Sequence, residues 1–283
     1  MALPNCFLNE IRHHPPVIHL RVATLRRSTH DRRGFPFELP AISGDLEIPF
    51  SAPVTMLVGE NGSGKSTFLE AVAIAARAIS AGSHDLGTDP TLAGARSLAA
   101  ELHLTWAKRP GRGFFMRAED FFGYAKRMDA TRADLESELL RVDIEYANSP
   151  ELARSLARQP LERELTAIRS RYGDGLDSGS HGESFLRFFQ ERLAPGGIYF
   201  LDEPEAPLSP TRQLSFLALL KDMVGRDIQV IMATHSPILL AFPGAAIWSF
   251  DSSPMKPVAY GDLEHVTLTR DFLRDPDAYL RHL

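Results

Sequence analysis

The segment Gly59–Ser66 combines glycines, a lysine and a hydroxyl residue in the spacing G-x-x-x-x-G-K-S. Glycines let backbone N–H groups turn toward an anion, the lysine supplies a cation for the β- and γ-phosphates, and the serine hydroxyl suits Mg²⁺. The apolar run Val54–Val58 predicts a strand before the loop, and the residues after it predict a helix, which is the context this motif requires. The predicted nucleotide-binding residues are Asn61, Gly62, Ser63, Gly64, Lys65, Ser66 and Thr67.

Two carboxylates, Asp202 and Glu203, follow a second apolar run, Ile198–Leu201. Beside a phosphate-binding loop, an aspartate at this place belongs to the Mg²⁺ shell, and a glutamate can be the base that activates water. A third apolar run, Gln229–Ala233, leads to His235, at the edge where open α/β sheets bind ligands. An acidic turn that only caps the next helix is the alternative for the carboxylates. The predicted metal ligands are Ser66 and Asp202, and the predicted catalytic residues are Glu203, His235 and Lys65.

The segment Ser180-His181-Gly182-Glu183 lies between these motifs. Together with the loop, the two carboxylates and His235, it resembles the ATP-binding cassette (ABC-type) ATPases, whose signature is usually Ser-Gly-Gly-Gln. The resemblance covers about residues 17–250. It implies Mg²⁺-dependent hydrolysis of ATP by a homodimer that ATP closes head to tail, with Ser180, Gly182 and Glu183 of one chain facing the γ-phosphate held by the other. His181 departs from the usual signature, and an ordinary helix N-cap with Glu183 as its capping-box residue is the alternative.

Among the ABC-type ATPases, the chain looks more like soluble members related to RecF than like transporter subunits. This likeness lies in the segments Asp202-Glu203-Pro204-Glu205 and Ala233–Pro237. The resemblance therefore implies a stand-alone ATPase in nucleic-acid maintenance or defence. An ATP-binding subunit that energises a membrane transporter is the alternative. The stretch that corresponds to the family's glutamine loop contains no glutamine. Glu119 is the candidate for the metal-contacting position of that loop. The alternative is that Glu119 only starts a helix.

The elements that must position these residues alternate between strands and helices, which predicts an α/β fold. The predicted architecture is a P-loop nucleotide hydrolase with an ABC-type head: a mainly parallel core sheet, an N-terminal antiparallel side sheet and a short helical subdomain. We expect residues 1–283 to form one domain, with the helical subdomain inserted at about 120–183. Within it, Tyr124–Tyr172 predicts a helical pair that reaches about 35 Å and is interrupted at Pro150 and Pro160.

Composition excludes several classes of protein. With 44% hydrophobic and 24% charged residues, the chain can bury a core, which argues against wholesale disorder. A net charge of −5 provides no global basic field. The single cysteine, Cys6, excludes an internal disulfide and suits a reducing compartment. The sequence contains no run of 18 apolar residues, so it predicts no membrane-spanning helix. We therefore expect a cytoplasmic protein.

The nucleotide and the partner are less strongly specified. The sequence lacks an Asn-Lys-x-Asp guanine box, which favours ATP over GTP. Adenine would stack on Phe35 or Phe37, for which a role in the core or a loop is the alternative. Six arginines among residues 1–35 indicate either a nucleic-acid contact or a solvated surface.

Overall fold

A computed structural model describes residues 17–26, 34–82, 86–172 and 181–281. The strands of this part of the chain are β1 (Leu20–Leu25), β2 (Leu46–Pro49), β3 (Val54–Val58), β4 (Ile79–Ser80), β5 (Leu102–Trp106), β6 (Gly113–Arg117), β7 (Ile198–Asp202), β8 (Gln229–Ala233), β9 (Ala246–Ser249) and β10 (Lys256–Pro257). Its α-helices are α1 (Lys65–Ala75), α2 (Ala93–Glu101), α3 (Ala118–Glu145), α4 (Glu151–Tyr172), α5 (His181–Arg192), α6 (Pro210–Val224), α7 (Pro237–Leu240), α8 (Glu264–Arg274) and α9 (Pro276–Leu280).

The core sheet has the strand order β10-β9-β3-β8-β7-β6-β4, and its pairs are parallel except β10 with β9. Every residue of β3, β7 and β8 is buried. A parallel strand covered on both faces needs a mainly apolar composition, which all three have. The carboxyl ends of these three strands share one edge of the sheet, where the predicted site residues follow them.

A separate antiparallel sheet has the order β2-β1-β5. It is joined to the core sheet by Gln229, the first residue of β8, whose side chain is fully buried. The Gln229 amide oxygen accepts a hydrogen bond from the Leu20 N–H at 2.8 Å, and the amide nitrogen donates to the Leu20 carbonyl at 2.9 Å. The parallel core and the antiparallel side sheet confirm the predicted fold class.

Helices α3 and α4 pack against each other as a hairpin through Leu135, Leu139 and Leu165. With 28 residues, α3 extends about 42 Å, longer than the predicted pair. The predicted interruption at Pro160 is wrong, because Pro160 lies inside α4. Proline removes one backbone donor from a helix. Helix α4 contacts α3 on both sides of Pro160. Arg169, for example, donates to Glu136 of α3 at 2.9 Å. These contacts hold α4 in place.

Helix α5 is attached to the core through its phenylalanines. Phe185 and Phe189 lie with ring centroids 4.7 Å apart, and Phe189 lies 4.8 Å from Phe216 of α6. All three side chains are fully buried. The position of the start of α5, which carries Gly182 and Glu183, is thus fixed by aromatic packing in the core.

Candidate active site at the phosphate-binding loop

The loop between β3 and α1 has the backbone that an anion site needs. Gly59, Gly62 and Gly64 have φ values of 151°, 82° and 100°, which L side chains rarely adopt. A Cβ at Gly59 would also lie 3.0 Å from the Phe250 Cβ. No side chain caps α1, so the N–H groups of its first turn remain available to a ligand.

Lys65 is folded back across this loop. Its Nζ donates to the Gly59 carbonyl at 2.8 Å and to the Glu60 carbonyl at 2.9 Å. Burial lowers the pKa of Lys65, while the nearby carboxylates of Glu203 and Asp202 oppose that shift. The ammonium therefore lies at the mouth of the loop with an incomplete set of partners, which a phosphate would complete.

Ser66 and Asp202 come together from opposite sides of the site, the start of α1 and the end of β7. The Ser66 hydroxyl donates to Asp202 Oδ1 at 2.9 Å. Burial raises the pKa of Asp202 to about 7, and the hydrogen bond from Ser66 acts in the opposite direction. A buried carboxylate without a full positive counter-charge is suited to a cation, and a hydroxyl with a carboxylate oxygen is a donor set that Mg²⁺ accepts. The residues present therefore fit Mg²⁺ bound together with a nucleotide.

Glu203 follows β7 with a φ of 50°, a left-handed conformation that is strained for a residue other than glycine. Its N–H donates to the Ala233 carbonyl at 2.9 Å, and its side chain is about half exposed. Glu203 lines a cavity of about 210 Å³ together with the loop residues. The cavity is also lined by Phe35, Leu39, Asn61, Gly62, Gly64, Lys65, Ser66 and Thr67.

His235 lies beside Glu203, with its Nε2 4.0 Å from Glu203 Oε1. Burial, and then the charge of Lys65, lower the pKa of His235, so its ring is neutral at pH 7. Among the described residues, Nε2 has no hydrogen-bond partner. The backbone N–H of His235 donates to Glu205 Oε1 at 2.7 Å, which fixes the turn after β8. A neutral imidazole nitrogen beside the loop can interact with a γ-phosphate or with water.

Two of the predicted signature residues, Gly182 and Glu183, lie away from this cavity. Ser180 falls outside the described residues. Gly182 is buried at the start of α5, where a Cβ would lie 3.2 Å from the Pro207 carbonyl. Glu183 contacts Arg187 at 3.3 Å and Arg212 at 3.4 Å. Neither Gly182 nor Glu183 lines the cavity at the loop of its own chain.

Glu119 lies in the first turn of α3. Its carboxylate is 76% exposed and contacts Arg117 at 3.5 Å. The helix-start interpretation therefore describes its position, and Glu119 does not line the cavity. Of the two aromatic residues that the sequence offers to adenine, Phe35 lines the cavity, whereas Phe37 packs against the core.

Sequence analysis missed a buried ion pair next to Asp202. Arg117 at the end of β6 donates through both Nε and Nη2 to Glu70 Oε1 of α1. Only 16% and 10% of the two side chains are exposed. Burial raises the pKa of Glu70, and Arg117 opposes this shift. The position of Glu70, five residues after the motif lysine and on the same helix, was the available signal.

His265 of α8 and Asp251 after β9 are two further titratable residues near the phosphate-binding loop that the motifs did not indicate. Burial lowers the pKa of His265. The charge of Asp251 opposes this shift, whereas the charge of Lys65 adds to it. Asp251 Oδ1 accepts a hydrogen bond from the Glu60 N–H at 2.7 Å, which holds the loop against the end of β9. The segments before both residues match no motif, so only the fold reveals that His265 and Asp251 are close to the phosphate-binding loop.

Two family models match the chain. Residues 34–83 match an AAA domain model. Residues 185–241 match a second AAA domain model, whose description names the AbiEii toxin and a type IV toxin–antitoxin system. The first match contains the loop and Lys65, and the second contains Asp202, Glu203 and His235. No match was found among curated proteins.

Solved structures with a similar arrangement include SMC heads and an ABC transporter. The SMC head domain from Thermotoga maritima is 17% identical over 86% of this chain and 100% of its own, with a TM-score of 0.44. The Smc head of Pyrococcus furiosus bound to the C-terminal domain of ScpA is 14% identical over 91% of this chain and 100% of its own, with a TM-score of 0.43. A structure described as an inward-facing ABC transporter of metal-chelate type is 16% identical over 90% of this chain and 89% of its own, with a TM-score of 0.44.

In the described part of the chain, no helix has the length and apolar composition needed to cross a membrane. The motif residues of both matched segments meet at one edge of a parallel sheet, around the phosphate-binding loop. This convergence, with the two matches to AAA domain models, identifies the chain as a P-loop ATPase.

Proposed function

We propose that the chain binds Mg²⁺ and ATP at the loop 59–66, that Glu203 is the general base for hydrolysis, and that ATP joins two copies head to tail. One observation carries the proposal: Lys65, Glu203 and Ser66 line a single cavity, and the Ser66 hydroxyl donates to Asp202 behind it. These are the groups that positioning and charge stabilisation of a phosphoryl transfer require.

Ser66 and Asp202 would hold Mg²⁺, which when bound neutralises charge on the β- and γ-phosphates. Lys65 binds the same phosphates with the ammonium donor that its hydrogen bonds to the Gly59 and Glu60 carbonyls leave available. Among the described residues there is no cluster of three or more His, Cys, Asp or Glu side chains that could hold a metal alone. Few protein ligands are needed, because Mg²⁺ completes its shell with water and phosphate oxygens.

Glu203 accepts the proton of the attacking water, and His235 contacts the γ-phosphate. The left-handed backbone of Glu203 supports this role, because strained residues concentrate at active sites. Glu203→Gln keeps the shape and the hydrogen bonds but removes the base, so we expect turnover to fall by about 10²- to 10⁴-fold. ATP binding should persist, since Lys65 and the loop carry it. Wild-type turnover in a folded Glu203→Gln protein would disprove the assignment.

The position of Gly182 and Glu183 supports the proposed dimer. Gly182 and Glu183 do not line the cavity of their own chain. A second copy can place its signature on the open side of the γ-phosphate, in a two-fold interface where each copy closes the other's site. Glu203→Gln with Mg²⁺ and saturating ATP should therefore sediment as a dimer. A monomer under these conditions would contradict the head-to-tail arrangement without affecting the ATP site.

A mixing experiment tests which residues form the shared site. Ser180→Arg blocks closure by its bulk, and Lys65→Ala removes the phosphate cation, so each variant alone should be inactive. In the mixed dimer, the Lys65 of the Ser180→Arg chain faces the Ser180 of the Lys65→Ala chain. One site is then intact, and partial activity should return on mixing. No recovery at any mixing ratio would show that one intact site is insufficient or that the signature acts within its own chain.

We further propose that hydrolysis serves nucleic-acid maintenance or defence. Material that copurifies with ATP-bound Glu203→Gln would test this proposal. Bound nucleic acid supports it, whereas a copurifying membrane protein would favour a transporter subunit instead.

A further inference from the structure

The segment between β7 and α6 carries a further carboxylate, Glu205, two residues after Glu203. Glu205 does not line the nucleotide cavity, and the proposed function leaves it without a role. Pro204 and Pro207 lie in the same segment, and the ring of each fixes its own φ angle. The Leu208 N–H donates to the Glu205 carbonyl at 2.8 Å. The backbone around Glu205 is therefore restricted before its side chain makes any contact.

The Glu205 side chain reaches from this segment to the end of β8. Its Oε1 accepts a hydrogen bond from the His235 N–H at 2.7 Å. Its Oε2 is buried and has no hydrogen-bond partner in the described part of the chain. Burial raises the pKa of Glu205, and the hydrogen bond from the His235 N–H opposes this shift. Burying a carboxylate with incomplete hydrogen bonding costs stability, so stability alone does not explain a glutamate at this place.

The turn 234–236, which joins β8 to α7, is held from two directions. The Ser236 hydroxyl donates to Gln213 Oε1 of α6 on one side. On the other side, Glu205 binds the backbone of His235. Since Nε2 of the His235 ring has no hydrogen-bond partner among the residues that the structure describes, that atom does not fix the ring. The position of the ring therefore depends on the backbone that Glu205 holds.

The same segment also fixes Glu203. The Glu203 N–H donates at 2.9 Å to the carbonyl of Ala233, the last residue of β8. Glu203 through its backbone and Glu205 through its carboxylate thus attach one segment to consecutive parts of the same strand end. Between these attachments, His235 Nε2 lies 4.0 Å from Glu203 Oε1. Two contacts that are two residues apart therefore set the position of His235 relative to Glu203.

We propose that Glu205 is a positioning residue for ATP hydrolysis, whose carboxylate holds His235 in place beside Glu203 and the γ-phosphate. This inference rests on the proposed function, which assigns the contact with the γ-phosphate to His235. An electrostatic route is the alternative, because the charge of Glu205 also acts on Lys65. That route would change the binding of every nucleotide with a β-phosphate, whereas the route through His235 concerns the γ-phosphate alone.

Isothermal titration with ADP and with a non-hydrolysable ATP analogue, each with Mg²⁺, separates the two routes. Glu205→Leu removes the acceptor and should weaken binding of the analogue by about tenfold, the effect of one hydrogen bond to a charged group, with the ADP affinity unchanged. Glu205→Gln keeps an acceptor oxygen at the same reach and should bind both nucleotides like the wild type. Glu205→Asp keeps the charge but shortens the side chain, so it should behave like Glu205→Leu, and it replaces that variant if Glu205→Leu does not fold.

A double variant establishes whether the effect passes through His235. Glu205→Leu/His235→Ala should bind the analogue as His235→Ala does, because a positioning residue has no effect once the group that it positions is removed. Gln229→Leu is the matched control. It also removes a buried side chain that accepts from a backbone N–H, but at the opposite end of β8. It should destabilise the fold without changing either affinity, and urea unfolding of each variant measures stability.

Three results would overturn the role of Glu205. Glu205→Leu could bind the analogue as tightly as the wild type, its effect could be equally large in the His235→Ala protein, or ADP binding could weaken as much as analogue binding. The proposed function has a separate measurement, the turnover of Glu203→Gln. Lost turnover in Glu203→Gln together with unchanged analogue binding in Glu205→Leu would contradict the role of Glu205 alone.

Discussion

The ion pair between Glu70 and Arg117 connects the stability of the fold with the charge of the active site. We predict that Arg117→Met, which keeps most of the side-chain volume, destabilises the protein by about 3 kcal/mol at pH 7. Removing one partner of a buried pair costs roughly 3–5 kcal/mol, because the other charge is left without compensation. The lower end applies because 10% of the Glu70 side chain is exposed to water.

The pH dependence of this loss has a definite sign. Burial already raises the pKa of Glu70, and removal of Arg117 takes away the group that opposes that shift. Because the folded state of the variant then binds a proton that the unfolded state releases, its stability falls as pH rises above about 4.3, by up to about 1.4 kcal/mol per pH unit. The loss relative to wild type should therefore be small at pH 5 and larger at pH 7.

Urea unfolding at pH 5 and pH 7 measures both effects. Arg117→Met/Glu70→Gln removes both charges and should recover most of the stability at pH 7, which makes a double-mutant cycle informative. Arg154→Met, which breaks an exposed pair with Glu151 on α4, should cost less than about 1 kcal/mol and serves as the control. Equal losses at both pH values, or no recovery in the double variant, would refute the reasoning.

Three further predictions concern the site and its support. Phe35→Ala should weaken ATP binding by about tenfold, because the 63% exposed ring lines the nucleotide cavity and can stack on adenine; isothermal titration tests this, and unchanged affinity excludes stacking on Phe35. Lys65→Ala should abolish ATP binding without unfolding the protein, whereas the exposed Lys221→Ala should bind ATP normally in the same assay. Gln229→Leu should destabilise the fold by about 3 kcal/mol, because two buried backbone groups of Leu20 lose their partners; a loss below about 1 kcal/mol in urea unfolding would show that water replaces them.

Local patterns were sufficient to predict the core sheet. Val54–Val58 and Gln229–Ala233 were predicted with the bounds that the structure has, because short, mainly apolar runs with four apolar residues of five favour a buried parallel strand. The motif lysine and serine were also identifiable, since their spacing to the glycines is set by the geometry of one short loop. The interruption predicted at Pro160 was wrong, because packing between α3 and α4 offsets the loss of one backbone hydrogen-bond donor.

Partners that are distant in sequence could not be predicted in this way. Glu70 and Arg117 are 47 residues apart, and no periodicity relates a helix residue to the end of a strand in another element. His265 approaches the loop only because α8 returns to it after the last strand.

The paired hydrogen bonds between Gln229 and Leu20 set the alignment of one sheet on the other. Leu20 is the residue of β1 that lies directly across from Trp106 of β5. A shift of the side sheet by one residue along its strands would break both hydrogen bonds and turn each side chain to the other face. The distance of Trp106 from the start of β6 and β7 therefore depends on an amide more than 100 residues away in sequence, and one buried glutamine sets the position of a sheet to which it does not belong.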